Sequence, residues 1–126
     1  MRKTPLLQAV TEILTIEDRP LSVPEILEVL QAKNFSPNKT TLYRMLDKLV
    51  ENEKVEALLL DPKVTYYEIK THHHHHFRCK NCSTIKCITD SGLESQIHDL
   101  SSKLAESGLS IDAHNFSLSG TCGDCQ

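Results

Sequence analysis

The sequence has no tryptophan and only three tyrosines and three phenylalanines, so aromatic residues make up 5% of its 126 positions. That scarcity argues against a nucleic-acid grip built on stacked aromatic platforms. There is no excess of positive charge either. The formal net charge is -3, which speaks against a general polyanion binder and requires any nucleic-acid contact to come from a local basic surface. No apolar run is long enough to cross a bilayer. Met1-Arg-Lys-Thr-Pro5 lacks the apolar stretch of a secretory signal, so the expected setting is cytoplasmic, with no membrane partner. The 39% hydrophobic and 25% charged content is ordinary for a soluble chain of one domain or two small ones.

What the sequence does contain is a concentration of metal-ligating side chains. Five consecutive histidines, His72 to His76, run into Cys79-Lys-Asn-Cys82, and a second C-x-x-C pair, Cys122 and Cys125, follows near the C-terminus. Pairs so far apart cannot form a local finger. Four thiolates on one structural zinc would instead clip the C-terminal segment back to the strand after the histidines. A pair of disulfides is the competing reading, and it needs an oxidising compartment that the N-terminus does not suggest. A histidine run is often a tag or a solvated loop, but this one is internal, between a strand-like run and a cysteine knuckle. In an extended segment His73 and His75 face one way and His74 and His76 the other, so one run can serve two metals.

The first half reads as helices followed by a hairpin. Thr4-Pro5 opens an amphipathic stretch with Leu6, Val10, Ile13 and Leu14 on one face, ending before Arg19-Pro20. Ser22-Val-Pro-Glu25 has the form of a capping box and starts a second helix that turns Ile26, Leu27, Val29 and Leu30 inward. A third, capped by Ser36 or Asn38, directs Leu42, Met45, Leu46 and Leu49 inward and leaves Lys39, Thr41, Tyr43, Arg44 and Lys48 outward. Strands are predicted over Val55–Leu60 and Val64–Ile69, joined by Asp61-Pro62-Lys63. This is the layout of a winged helix-turn-helix, although a three-helix packing module without nucleic acid has the same pattern. In the second half, strands are predicted over Phe77–Lys80 and Thr84–Ile88. A helix starts at Ser91 with Leu93, Ile97, Leu100 and Leu104 in register and stops at Gly108, and Leu109 to Leu118 returns as a strand. A unit this small has little core of its own, and zinc and a partner subunit are the remedies.

Thr40-Thr-Leu-Tyr43-Arg44, then the histidine run, then the paired C-x-x-C motifs closely resemble the ferric uptake regulator (Fur) family over essentially the whole chain. The resemblance implies an α+β protein: a winged-helix DNA-binding domain over 1–70, then a small α/β dimerisation and metal-binding domain over 71–126 with a structural zinc at Cys79, Cys82, Cys122 and Cys125. It implies a homodimeric, metal-dependent transcriptional regulator, a repressor on A/T-rich palindromic double-stranded DNA, and not an enzyme. Tyr43 and Arg44 match the family's recognition-helix pair, with Lys39, Thr41, Lys48 and Lys63 as phosphate contacts and Arg2 and Lys3 as an arm. For Tyr43 the bland reading is a residue half buried against the wing.

The same resemblance divides the histidines. His73 and His75 pair with Glu94 and His114 in an additional metal site, though the family more often has an aspartate where His75 stands. His74 and His76 match the regulatory pair, with Glu68 and Cys87 completing the site. The family's usual carboxylate is replaced by Cys87, and a soft thiolate favours zinc over iron(II) or manganese, so the chain is most like a zinc uptake regulator. Cys87 as an inert buried thiol is the alternative. The position where many members place an inter-helix histidine ligand is Pro20. Iron-responsive and peroxide-sensing members are the runners-up within the family. A metallohydrolase and a zinc-storage module are the readings from other classes, and the first lacks a separate general base.

Overall fold

The computed structural model describes residues 3–70, 74–88 and 91–126, so Arg2 and His73 lie outside the described residues. The chain divides into two compact units, Met1–His72 and His73–Gln126.

The first unit is built on hydrocarbon. Helix α1 (Pro5–Glu17) begins where the Thr4 hydroxyl accepts the Leu7 N–H at 3.1 Å, and it stops at Asp18, whose φ of 47° is left-handed. Helix α2 (Val23–Ala32) carries the expected capping box: Glu25 donates its N–H to the Ser22 hydroxyl, and its carboxylate accepts the Ser22 N–H. Of the two candidate caps for α3 (Lys39–Glu51), Asn38 is the one used, accepting the Thr41 N–H at 2.8 Å. Leu14, Ile26, Leu30, Leu42, Leu46 and Val55 meet in one core with Tyr67, and Met45 packs at its edge. Strands β2 (Val55–Asp61) and β3 (Val64–Ile69) form the hairpin, and a two-residue strand β1 (Leu21–Ser22) adds to the outer edge of β3. No periodicity can announce a strand of two residues that also serves as the helix cap.

In the second unit β4 (His75–Cys79) lies between β5 (Ile85–Ile88), antiparallel, and β6 (Ser117–Gly120), parallel. Helix α4 spans Ser91–Glu106, and Gly108 at φ 90° ends it. Two expectations are corrected. Strand β4 begins at His75 rather than Phe77, because His75 and His76 pair with Ile88 and Cys87. The strand expected over Leu109 to Leu118 is confined to Ser117–Gly120. The register accounts for most of this: His76 pairs with Ser117, so residues before Phe116 would have to pair ahead of His75, where β4 has not yet begun. Among the described residues, the only apolar side chains of this unit counted as buried are Cys79 and Cys122. Leu100, Leu109, Ile111, Phe116 and Leu118 are exposed.

These cores predict separable responses. Leu46→Ala is expected to destabilise the first unit by about 2–5 kcal/mol, and Ser22→Ala by about 1 kcal/mol, in urea titrations followed by circular dichroism.

Candidate metal centres

The turn after β4 is shaped around sulfur. Ser83 takes a left-handed φ of 63° and returns its N–H to the Cys79 carbonyl at 3.0 Å, while the Cys79 N–H reaches the Thr84 carbonyl at 2.9 Å. This places Cys79 and Cys82 side by side. The other pair arrives on β6: the Lys80 N–H bonds the Gly120 carbonyl at 2.8 Å, bringing Cys122 and the short 3₁₀ turn Gly123–Cys125 against the knuckle. Gly120 lies close under Phe77, where an added Cβ would stand 3.4 Å from the ring.

All four Sγ atoms lie within 4.8 Å of one another, and none is in a disulfide. A tetrahedron with metal–sulfur arms of about 2.3 Å has edges of about 3.8 Å. The Cys82–Cys122 sulfur separation is 3.7 Å. Backbone N–H groups of Cys122 and Cys82 point at the Cys79 sulfur from 3.4 and 3.5 Å and hold its thiol down at about 6. The Thr84 hydroxyl lowers Cys82. Cys125 is pushed up to about 12, chiefly by its hydrogen bond to Cys122 and then by those to Cys79 and Cys82. A soft dication fits this donor set. The supporting Thr84 and the left-handed Ser83 carry no ligand signal in the sequence.

A second cluster joins His75 of β4, Glu94 in the first turn of α4 and His114 on the segment before β6. Glu94 Oε1 stands 2.5 Å from His75 Nε2 and 3.3 Å from His114 Nε2. His75 is 3% exposed and packs its ring edge-on to Phe116. The fourth predicted member, His73, lies outside the described residues.

The other face of the histidine run carries a third group. His76 is 4% exposed and faces Cys87 across the β4–β5 pair, His74 lies edge-on to it at 4.6 Å, and the ligand atoms of His74, His76 and Cys87 are within 4.8 Å of one another. Cys87 is exposed rather than packed as a core thiol. Glu68, their predicted companion, is a buried residue of β3 in the first unit.

The candidate nucleic-acid residues occupy the outer face of α3. Lys39, Thr41, Tyr43, Arg44 and Lys48 are exposed opposite buried Leu42, Leu46 and Leu49, and Lys63 is exposed in the hairpin turn. Tyr43 is 43% exposed, so its ring is partly covered and partly open to solvent. Lys3 is also exposed.

The ferric uptake regulator family matches residues 1–119. The chain belongs to that family. Relatives differ in the metal their names carry. A ferric uptake regulation protein of Campylobacter jejuni is 34% identical over 101 residues, which are 79% of this chain and 62% of that protein. A zinc uptake regulation protein of Escherichia coli is 26% identical over 128 residues, 99% of this chain and 73% of that protein. The chain thus spans less than two thirds of the Campylobacter Fur. The fold is that of the Helicobacter pylori Fur, described as having three functional metal-binding sites, with a TM-score of 0.86 at 21% identity over 99% of this chain and 82% of that one.

Replacing Cys79, Cys82, Cys122 or Cys125 with serine is expected to remove one tightly held ion per chain and to lower the unfolding temperature of the second unit. Elemental analysis and calorimetry check both. A stable second unit after that loss would mean that the sulfurs are not its clip.

Proposed function

We propose that this Fur-family chain is a homodimeric, zinc-sensing DNA-binding regulator, a cytoplasmic repressor of metal-uptake genes acting through binding and not through catalysis. The observation that carries the zinc reading is Cys87 opposite His76 on β5. A thiolate beside two imidazoles is a softer donor set than the carboxylate the family usually offers, and softness favours zinc over iron(II) or manganese. The Cys79, Cys82, Cys122 and Cys125 cluster is read as a structural zinc site, and His75, Glu94 and His114, with His73, as an additional one.

In this reading the first unit is a winged helix-turn-helix, the domain of residues 1–70. Helix α3 enters the major groove, where the Tyr43 ring meets thymine methyls and Arg44 reaches guanine or a phosphate. Lys39, Thr41, Lys48 and Lys63 position the protein on phosphates, with Arg2 and Lys3 as an arm. The second unit dimerises, a role supported by the exposed Leu100, Leu109, Ile111, Phe116 and Leu118. Two-fold symmetry then calls for an inverted repeat, A/T-rich as the resemblance implies. No helix among the described residues is long and apolar enough to cross a membrane.

Regulation follows from where the donors originate. Glu68 comes from β3, whereas His74, His76 and Cys87 belong to the second unit. In this reading Glu68, His74, His76 and Cys87 would together hold a dication, which would supply a link among them, and DNA would select the same linked arrangement. The two bindings are therefore reciprocally coupled. Coupling of about 1–3 kcal/mol per site is typical, and two sites in a dimer reach the several kilocalories that a near-complete switch needs. The second reading, an iron(II)-responsive regulator, is favoured by the 34% identity to the Campylobacter protein.

Titrating the dimer with zinc, iron(II) or manganese against an A/T-rich inverted-repeat duplex separates the readings. Zinc is expected to give tight DNA binding at the lowest free concentration. Metal uptake with no DNA affinity would point to storage instead. Arg44→Ala and Tyr43→Ala are each expected to weaken specific binding by about 10- to 100-fold with metal content unchanged.

Cobalt(II) reads Cys87 directly. With the four-cysteine site filled by zinc, the sulfur-to-cobalt charge-transfer band is expected to disappear in Cys87→Ala along with metal-activated DNA binding. Cys87→Asp should shift the preference toward iron(II) or manganese. Normal metal activation without that band in the unmodified protein would make Cys87 a bystander.

A further inference from the structure

Helix α4 and the segment before β6 enclose a cavity of about 220 Å³, lined by Glu94, Ile97 and His98 from the helix and by Ile111, Asp112 and His114 from the segment. Glu94 and His114 tie the two walls together, their Oε1 and Nε2 atoms standing 3.3 Å apart. His98 follows Glu94 by four residues, one turn along the same helix face, and Asp112 precedes His114 by two. Each wall thus carries one donor of the His75, Glu94 and His114 group and one further donor facing the same cavity. His98 and Asp112 stand outside that group, whose ligand atoms lie within 4.8 Å of one another.

Exposure is graded along these donors. His98 and Asp112 are exposed, the Glu94 and His114 side chains are 46% and 32% exposed, and His75 is 3% exposed. Among the described residues, neither the His98 imidazole nor the Asp112 carboxylate has a hydrogen-bond or ion-pair partner. A solvated histidine and a solvated aspartate are ordinary on a surface, but these two share a cavity with two donors of a candidate metal centre. A dication moving from water to buried His75 has to give up its hydration shell, and doing so in one step is costly. The cavity has room for an ion that still carries waters. An imidazole and a carboxylate are donors that zinc, iron(II) or manganese accepts, and two of them leave most of the coordination to water. We propose that His98 and Asp112 form an outer divalent-cation site, where an incoming dication exchanges its first waters for protein donors before it reaches Glu94, His114 and His75. This rests on the reading of His75, Glu94 and His114 as a metal site, and it gives the outer pair control of loading rate rather than of affinity. A station on the way in lowers the barrier in both directions, so association and dissociation change together.

The test follows cobalt(II) binding by stopped-flow absorption in the full-length dimer with its four-cysteine sites filled with zinc. The kinetic phase that Glu94→Gln abolishes reports the inner centre. In His98→Ala and in Asp112→Ala the association and dissociation rates of that phase are each expected to fall about tenfold, the lower end of what a charged cleft adds to capture of an ion, with the dissociation constant held within about twofold. Asp112→Glu, which keeps the carboxylate, should load within about threefold of the unmodified protein and provides the comparison should Asp112→Ala alter the segment. Unchanged rates in both alanine variants overturn the proposal. A fall in Asp112→Ala alone also overturns it, because a carboxylate can attract a cation through its field without any site. So does a weakened dissociation constant with an unchanged association rate, which would make the pair supports of the inner centre. If Glu94→Gln removes no phase, the metal-centre reading itself has failed and the outer site falls with it, an outcome distinct from a failure of His98 and Asp112 alone.

Discussion

Four sulfurs within 4.8 Å of one another connect the end of β4 to the segment after β6, in a unit where β6 meets its neighbour over only four residues. In most small domains that connection would be made by leucines and isoleucines packing under a sheet. Here the described apolar interior is two cysteines, and the buried polar side chains beside them are His75 and His76. Cysteine is a small hydrophobe that buries readily, whereas a buried imidazole needs partners for its nitrogens. Sulfur and imidazole therefore occupy interior positions of this unit and also form its candidate donor clusters.

The first unit is built on the opposite principle. Its helices cross over a continuous hydrocarbon core, and its polar residues appear at caps and on the outer faces. Among the described residues, the buried carboxylate of Glu68 on β3 is the exception, since it belongs to a candidate donor cluster. The two units thus differ in what fills their interiors, hydrocarbon in one and sulfur with imidazole in the other. Fur-family membership and the donor clusters are compatible with this division of labour.

Legibility in the sequence followed the range of the interaction. Ser22 and Asn38 act within three residues of themselves, and their caps could be read from local spacing. The C-x-x-C pairs have few chemical uses and were equally plain. What could not be read depends on partners distant in the chain. The two residues of β1 are a strand only because Tyr66 and Tyr67 lie beside them. His75 and His76 are in β4 because Ile88 and Cys87 offer backbone partners, whereas residues 109–115, with an alternating pattern, have no positions opposite them in β4 and stay irregular. A bulge in β2 between Leu58 and Asp61 is similarly silent, since one extra residue alters register without altering composition.

The histidine run shows how much follows once a strand is assigned. Period-two alternation sends His75 toward Glu94 and His114, and turns His76 with His74 toward Cys87. The two donor groups are therefore separated by the backbone of one strand. Each reaches outward to a different element: one to α4 and the segment before β6, the other to β5. The two groups are neighbours through one strand and not through a chain of intervening side chains. That strand is β4, whose far end is Cys79 of the sulfur cluster. A strand of five residues thus borders all three donor groups, and displacing it would disturb them together.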